Sequence, residues 1–448
     1  MTIPFKPERE KAGRIRSLSK FRSGSLLCAA MLGFVLAPAT TADPASAFEE
    51  AILDLDPAGG ASTWSDPFPL PIRNVRVIIV DGADLVRLRS SANFRLTKPA
   101  GAEVARFDAE IDLHLRPDSS GRIRAGESTI DSTRIHVVPE AGAVTSVSAQ
   151  HGGEWSPERR FRGSFTLLVS AAESLNVVNE IGVEDYVAGV VAWEIWPTFD
   201  TEVYRVQAIL ARTYVLYQML QASTSSWDVA ATQGSQVYRG VRDDSTGRRA
   251  VEAAEFTRGI VLTWNNGRAD RIFCAYYSAA CGGRSQDASI FGPESAIPPL
   301  AGNVSCDYCK IAPAQNYRWG PVRIRKRELL DRLGARHSEW LSANDLAFIE
   351  ATEKGPDGRT VRLRVSGGGL TREYLAERFR MLVGGSVMKS THCDIRLEGD
   401  QVVVENGRGF GHGLGLCQWG AQGQARQGRS ASDILRYYFP GAKLLRAY

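Results

Sequence analysis

Apolar residues recur along this chain in two rhythms, and the change between them falls near residue 180. Before it, short runs of Val, Ile, Leu and Phe are cut by Gly, Asp and Pro: Val75–Val80, Leu85–Leu88, Phe94–Leu96, Ala109–Leu115, Ile135–Val138 and Phe165–Val169. That texture predicts strands joined by tight turns. After it the spacing becomes helical. In Val183–Pro197, the residues Val187, Val190, Val191 and Glu194 fall at i, i+3, i+4 and i+7, so a carboxylate shares the stripe that should be buried. Pro197 ends this helix within a turn of Glu194. A second helix is expected from near Thr201 to Gln221, with Val203, Val206, Leu210, Thr213 and Tyr217 as its stripe and Asp200 as its N-cap. Arg212 lies off that stripe, beside Ala208 and Ala211.

Strands and loops return over 227–300, including Gly259–Trp264 and Ile272–Tyr277, the latter followed by the turn Ser278–Gly283. A basic helix (Arg325–Arg336), strands at Thr360–Val365 and Gln401–Glu405, and a last helix ending at Tyr437-Tyr-Phe-Pro440 are expected beyond. Between those two final elements four glycines alternate with other residues from Gly409 to Gly415, with His412 in the middle and Gln418 and Trp419 just after. Such a run is neither good helix nor ordinary strand, and it lets a partner approach the backbone closely. It reads as a binding surface.

A glutamate on an apolar stripe is costly unless it is paired or its pKa is raised so that it keeps its proton. The second condition is the one a general acid needs; the first would make Glu194 a structural ion-pair partner.

The N-terminus stands apart. Seven basic residues precede the apolar run Leu26–Ala37, and Ala45-Ser46-Ala47 follows. This is the layout of a secretory signal peptide over 1–47, with an uncleaved anchor as the alternative. The run is shorter than the roughly 20 residues a membrane span requires. Residues 48–70, rich in Pro, Gly, Ala and Asp, read as an extended linker. Residues 1–47 carry seven basic and three acidic residues, which is the whole of the chain's net charge of +4. What remains is near neutral and offers no reason to bind a nucleic acid. Of the 448 residues 44% are hydrophobic and 23% charged, ordinary for a globular protein.

Six cysteines follow the leader: Cys274, Cys281, Cys306, Cys309, Cys393 and Cys417. Export favours disulfides, and an even count fits pairing. The Cys306-Asp-Tyr-Cys309 pair with Cys274 and Cys281 would also suit a four-thiolate zinc site. Both readings stay open. A thiol hydrolase built on Cys417 and His412 is disfavoured, because the two sit five residues apart on one loop. The glycine run is not a dinucleotide fingerprint, since position 414 is leucine, and there is no phosphate-binding loop, His-Glu-x-x-His or Gly-x-Ser-x-Gly.

Several stretches, in order, resemble the SpoIID/LytB family, the sporulation protein D and amidase-enhancer group of peptidoglycan-acting proteins. They are Val178–Val191, Trp193-Glu-Ile-Trp-Pro197, Gln207-Ala-Ile-Leu-Ala-Arg-Thr-Tyr214, Gln236-Val-Tyr238, Ala275–Gly283, Gly411–Ala421 and Ile434–Gly441. The resemblance covers roughly 160–448 and implies lytic transglycosylation between N-acetylmuramic acid and N-acetylglucosamine, with Glu194 as the one catalytic carboxylate. It further implies that Arg212, Tyr277, His412 and Gln418 bind substrate. Some members hold zinc through a Cys/His cluster just before Gln-x-Tyr; here Gln233-Gly-Ser235 stand in that place, so that site is not expected. The family's frequent histidine in the Ala275–Gly283 stretch is likewise missing.

The expected protein is therefore α+β, with a β-rich region over 71–160, either accessory or the start of the main domain, and a mixed α/β SpoIID-like catalytic domain over 161–448. No cofactor is expected beyond the zinc alternative. The partners would be peptidoglycan glycan strands and a cell-wall amidase, in the periplasm or cell envelope, with membrane contact only through an uncleaved leader. The alternative function is that of a non-catalytic wall-binding protein that enhances such an amidase.

Overall fold

The computed structural model describes residues 73–170, 174–222, 225–232, 234–267 and 269–448. The leader and linker expected over 1–70 lie outside them. Among the described residues no helix is long and apolar enough to cross a membrane.

The strand-rich half forms two seven-stranded sheets. In the first, Val75–Ala83 pairs with Leu175–Ile181, which continues through Ser164–Val169, Arg134–Pro139, Phe94–Thr97 and Glu103–Phe107; Val229–Ala230 adds on the other side of Val75–Ala83. The second is built around Thr145–His151 and Leu85–Ser90. Alternation sets the faces: in Leu85–Ser90 every second residue is buried, with Val86 and Leu88 turned into the core. The first sheet runs straight across residue 160, because Ser164–Val169 pairs with Arg134–Pro139. The β-rich region and the segment that follows thus share one sheet.

Strand Leu175–Ile181 passes through Gly182 into helix α1 (Val183–Glu194), and a short corner leads to α2 (Thr201–Gln221). Helix α3 (Ser245–Phe256) packs on both. Val187, Val190 and Val191 are fully buried, as their spacing requires. Gly189, mid-helix, is explained by close approach: a Cβ there would meet the Tyr238 ring at 2.6 Å. One continuous apolar core joins the sheets to these helices and reaches Phe439 near the C-terminus.

A second, separate core lies within 319–404. The short helix α4 (Ala314–Tyr317) precedes it, and helices α5 (Lys326–Gly334) and α6 (Ala376–Val383) fall in this part of the chain, with two three-stranded sheets. The chain then returns to the main core through α7 (Gln418–Ala425) and α8 (Ala431–Tyr438).

Some expectations shift. The strand expected from Ala109 begins only at Leu113, because Glu110 takes a left-handed φ of 62° and makes a turn. Ile272–Tyr277 is not one strand: a tight turn from Tyr276 N–H to Cys274 C=O, at 2.9 Å, separates Asp270–Ile272 from Tyr277–Ser278. Asp200 stands at the N-cap of α2 but does not cap it with its side chain; its Oδ2 accepts from Gln422 Nε2 at 2.8 Å.

Candidate active site around Glu194

Glu194 is the last residue of α1, and the chain turns extended at Ile195. The negative end of the helix dipole therefore faces the carboxyl and disfavours its ionised form. The side chain is crowded yet still partly open to solvent. Burial raises its pKa, and the Val237 N–H, the Tyr277 hydroxyl and the Arg239 charge only partly oppose that, so the net shift is upward. Val237 N–H donates to Glu194 Oε1 at 2.7 Å.

Behind Tyr277 lies a directed chain of donors. The buried Tyr186 hydroxyl donates to Gln236 Oε1 at 3.0 Å, and Gln236 Nε2 donates to the Tyr277 oxygen at 3.2 Å. With its oxygen already accepting, Tyr277 turns its own proton to Glu194. Burial, then the nearby Glu194 charge, push the Tyr277 pKa well up, so it stays a donor. The sequence placed Gln236 in a motif but gave it no role. The structure gives it one, as the amide that orients Tyr277.

Helix α7 docks one face onto the corner between α1 and α2. Gln418 Nε2 donates to the Glu194 main-chain oxygen at 3.4 Å and to Gln207 Oε1 at 3.2 Å. Trp419 packs edge-on against Phe199 at 4.7 Å and at a tilt against Trp196 at 6.1 Å. Gln422 Oε1 accepts from Asp200 N–H at 2.8 Å. Gln418, expected to bind substrate, instead turns its amide to the backbone of the helix end at Glu194. Trp196, beside the carboxyl in sequence, is 47% exposed and offers an open aromatic face.

The glycine run is not an open surface. Gly409, Gly411, Gly413 and Gly415 all have positive φ; the run lies against residues 276–282 of the same chain, except that Gly413 faces the Arg359 guanidinium. A Cβ at Gly415 would meet the Tyr276 oxygen at 2.1 Å, and one at Gly411 the Ser278 Cβ at 2.9 Å. The close approach that glycine permits is used internally. His412 Nδ1 accepts from Leu414 N–H at 3.0 Å, the ring sits edge-on to Tyr276 at 6.0 Å, and it hydrogen-bonds the Tyr277 backbone. Burial lowers its pKa to about 4, with Arg380 and Arg359 acting in the same direction against Glu377. His412 is a neutral imidazole that fixes the strand bearing Tyr277.

Arg212 is the clear correction. It is fully buried, and its guanidinium pairs with Glu184 at 3.0 and 2.5 Å while also donating to Thr257 Oγ1 and to the Ile260 and Ala254 carbonyls. Glu184 is in the first turn of α1, the opposite end of the helix from Glu194. With every arm engaged, Arg212 ties α1 and α2 to the end of α3 and does not face a substrate. Its off-stripe position misled because a helix clamped between partners on several sides buries more than one stripe.

The zinc quartet is also corrected. Cys274 lies apart, while Cys281, Cys306, Cys309 and Cys417 converge, with all four sulfurs within 4.8 Å of one another. No disulfide joins any two of the six described cysteines. A cavity of about 340 Å³ lined by Arg76, His136, Thr166 and Glu180 opens on the first sheet, and none of the expected site residues lines it.

Comparison with known proteins points one way. The SpoIID family model, "Stage II sporulation protein", matches residues 171–264. The chain is 30% identical over 275 residues to an uncharacterized protein of Brachyspira hyodysenteriae, covering 61% of this chain and 69% of that one. It is 28% identical over 283 residues to the stage II sporulation protein D of Bacillus subtilis, covering 60% and 76%. It is 26% identical over 303 residues to the amidase enhancer of Bacillus subtilis, covering 57% and 40%.

Proposed function

This chain belongs to the SpoIID/LytB family, and from that premise we propose that it is an exported lytic transglycosylase of peptidoglycan with Glu194 as its acid and then its base. The observation that carries the reading is the Glu194 carboxyl itself, held by Val237 N–H and Tyr277 and shifted upward by burial, as a general acid requires. A hydrolase of the usual kind needs two carboxyls, one of them for water or for a covalent intermediate. A transglycosylase needs one.

The protonated Glu194 gives its proton to the glycosidic oxygen as the bond from that oxygen to C1 of the muramoyl sugar breaks. The carboxylate so formed takes the proton of the muramoyl 6-hydroxyl, whose oxygen closes on C1. The products are a 1,6-anhydro-muramoyl end and a free 4-hydroxyl on the departing sugar, and Glu194 is protonated again. Val237 N–H and Tyr277 hold the carboxyl in place through both transfers. Trp196 supplies a flat apolar face on which a sugar ring stacks.

The amidase-enhancer relative supports a second reading, in which the chain binds wall glycan and stimulates a separate amidase without cutting anything itself. Glycan strands incubated with the purified protein separate the two. The enzyme yields 1,6-anhydro ends, and Glu194→Gln loses them by at least 10²-fold, the usual scale for a missing general acid. Intact glycan with tight sacculus binding and a stimulated amidase would establish the second reading instead.

A further inference from the structure

The four converging cysteines are used by neither reading, and they form a site in their own right. They come from three separate stretches: Cys281 in the turn after Tyr277–Ser278, Cys306 and Cys309 around the 3-10 turn Asp307–Ile311, and Cys417 at the N-cap of α7. All four are buried. Cys281 Sγ lies 3.7 Å from Cys309 Sγ, and no two of the four sulfurs are further apart than 4.8 Å. Tetrahedral zinc with bonds of about 2.3 Å to sulfur sets its ligands roughly 3.8 Å apart. A four-iron cluster needs a wider cage than this, and the donor set excludes the hard cations, which take oxygen.

The surroundings fit charged sulfurs. Cys417 Sγ accepts from Cys281 N–H at 3.2 Å and from Gly420 N–H at 3.3 Å, the second being a free donor of the first turn of α7. Cys306 Sγ is 3.0 Å from the Tyr438 hydroxyl. The buried Arg359, itself paired with the buried Asp357 at 3.2 Å, donates from its guanidinium to the Cys281 carbonyl at 2.6 Å, an outer hydrogen bond that steadies the backbone of a ligand residue. Gly420 leaves room for the site: a Cβ there would stand 2.5 Å from Cys306 Sγ. The segment that brings Cys306 and Cys309 in is mostly 3-10 turns and loops, which cannot fix themselves by sheet or long-helix hydrogen bonding.

We propose that Cys281, Cys306, Cys309 and Cys417 bind one structural Zn²⁺ as thiolates. The ion closes the coordination sphere, leaves no position for substrate, and pins the N-terminus of α7 to the turn after Tyr277. Cys417 is followed directly by Gln418, so the metal fixes the residue that holds the helix end at Glu194. This inference does not depend on what reaction Glu194 performs.

The test uses the full chain exported to an oxidising compartment and purified without chelator or reductant. Metal analysis is expected to find about one zinc per chain, lost in Cys309→Ser and Cys417→Ser and kept in Cys274→Ser and Cys393→Ser. Exchange of the wild type with Co²⁺ should give the intense sulfur-to-metal absorption of a tetrahedral thiolate site, a readout that needs no variant to fold. Stripping the metal with a strong chelator should lower Tm by at least about 5 °C. Peptide mapping of the unreduced protein that finds these four residues joined in two disulfides, with no bound metal, overturns the proposal. So does zinc that survives Cys417→Ser or departs with Cys274→Ser, and so does iron in place of zinc.

Discussion

At the scale of single residues, Tyr277 and Glu194 behave as one unit. The Tyr277 hydrogen bond lowers the Glu194 pKa, against burial, which raises it. Removing the hydroxyl leaves burial less opposed, so the carboxyl keeps its proton to higher pH. Glu194 must be protonated for the first step, and its ionisation sets the alkaline limb of the pH–rate profile. Tyr277→Phe is therefore expected to move that limb upward while lowering the maximal rate about 10-fold, measured as anhydro-end formation across pH. A limb that stays in place would show that Tyr277 does not touch the acid in solution. Glu194 carries a stability signature as well. Its folded pKa lies above its unfolded one, so it costs stability as pH rises from the ordinary carboxylate value through the folded value. Glu194→Gln should thus fold and match or exceed the parent Tm at neutral pH, which keeps its loss of activity from being read as unfolding.

Among the elements, the α1–α2 pair is held by the buried Arg212–Glu184 ion pair. Burial alone would raise Glu184, but the Arg212 charge and hydrogen bonds, with Tyr448 and Gly259 N–H, hold it below its usual value. A carboxyl depressed in the fold contributes stability above its unfolded pKa and loses it as pH falls through the folded value. Arg212→Ala leaves the Glu184 charge buried without its partner and is expected to cost about 3–5 kcal/mol in urea unfolding at neutral pH. Replacing both, as Arg212→Met with Glu184→Gln, should recover most of that and flatten the acid limb of stability. If Arg212→Ala instead left stability untouched and abolished glycan binding, Arg212 would return to the substrate side.

Over the whole molecule, the strand-rich half and the site cannot be separated. The strand that delivers α1, Leu175–Ile181, pairs with Val75–Ala83 on one side and Ser164–Val169 on the other, and all three belong to the main core. A chain starting at residue 161 would expose Val177, Ile181 and the floor of α1 along a bare sheet edge. We expect it to show no cooperative thermal transition by circular dichroism, where an accessory domain would leave the remainder with a Tm close to that of the full chain. Residues 319–404, by contrast, carry a core of their own.

Much of the fold was legible because it depends on local pattern. Short apolar runs cut by Gly, Asp and Pro placed the early strands, the 3.6-residue period placed α1 and put Glu194 on its buried stripe, and the helix expected from near Thr201 to Gln221 is α2. The linear chain also marked Glu194 as a carboxyl under pressure, since an acid on an apolar stripe before a proline has few places to go. What it left undecided was decided by contacts between residues far apart in sequence. Arg212 became structural because Glu184 and three acceptors surround it; the glycine run packed against its own chain because Tyr276 and Ser278 lie beneath it; and Cys417 replaced Cys274 in the sulfur quartet because α7 folds back over 100 residues onto Cys306 and Cys309. Periodicity reports which face a residue takes. Only the packed structure settles what stands opposite that face, and for a charge, a thiol or a glycine that neighbour determines the role.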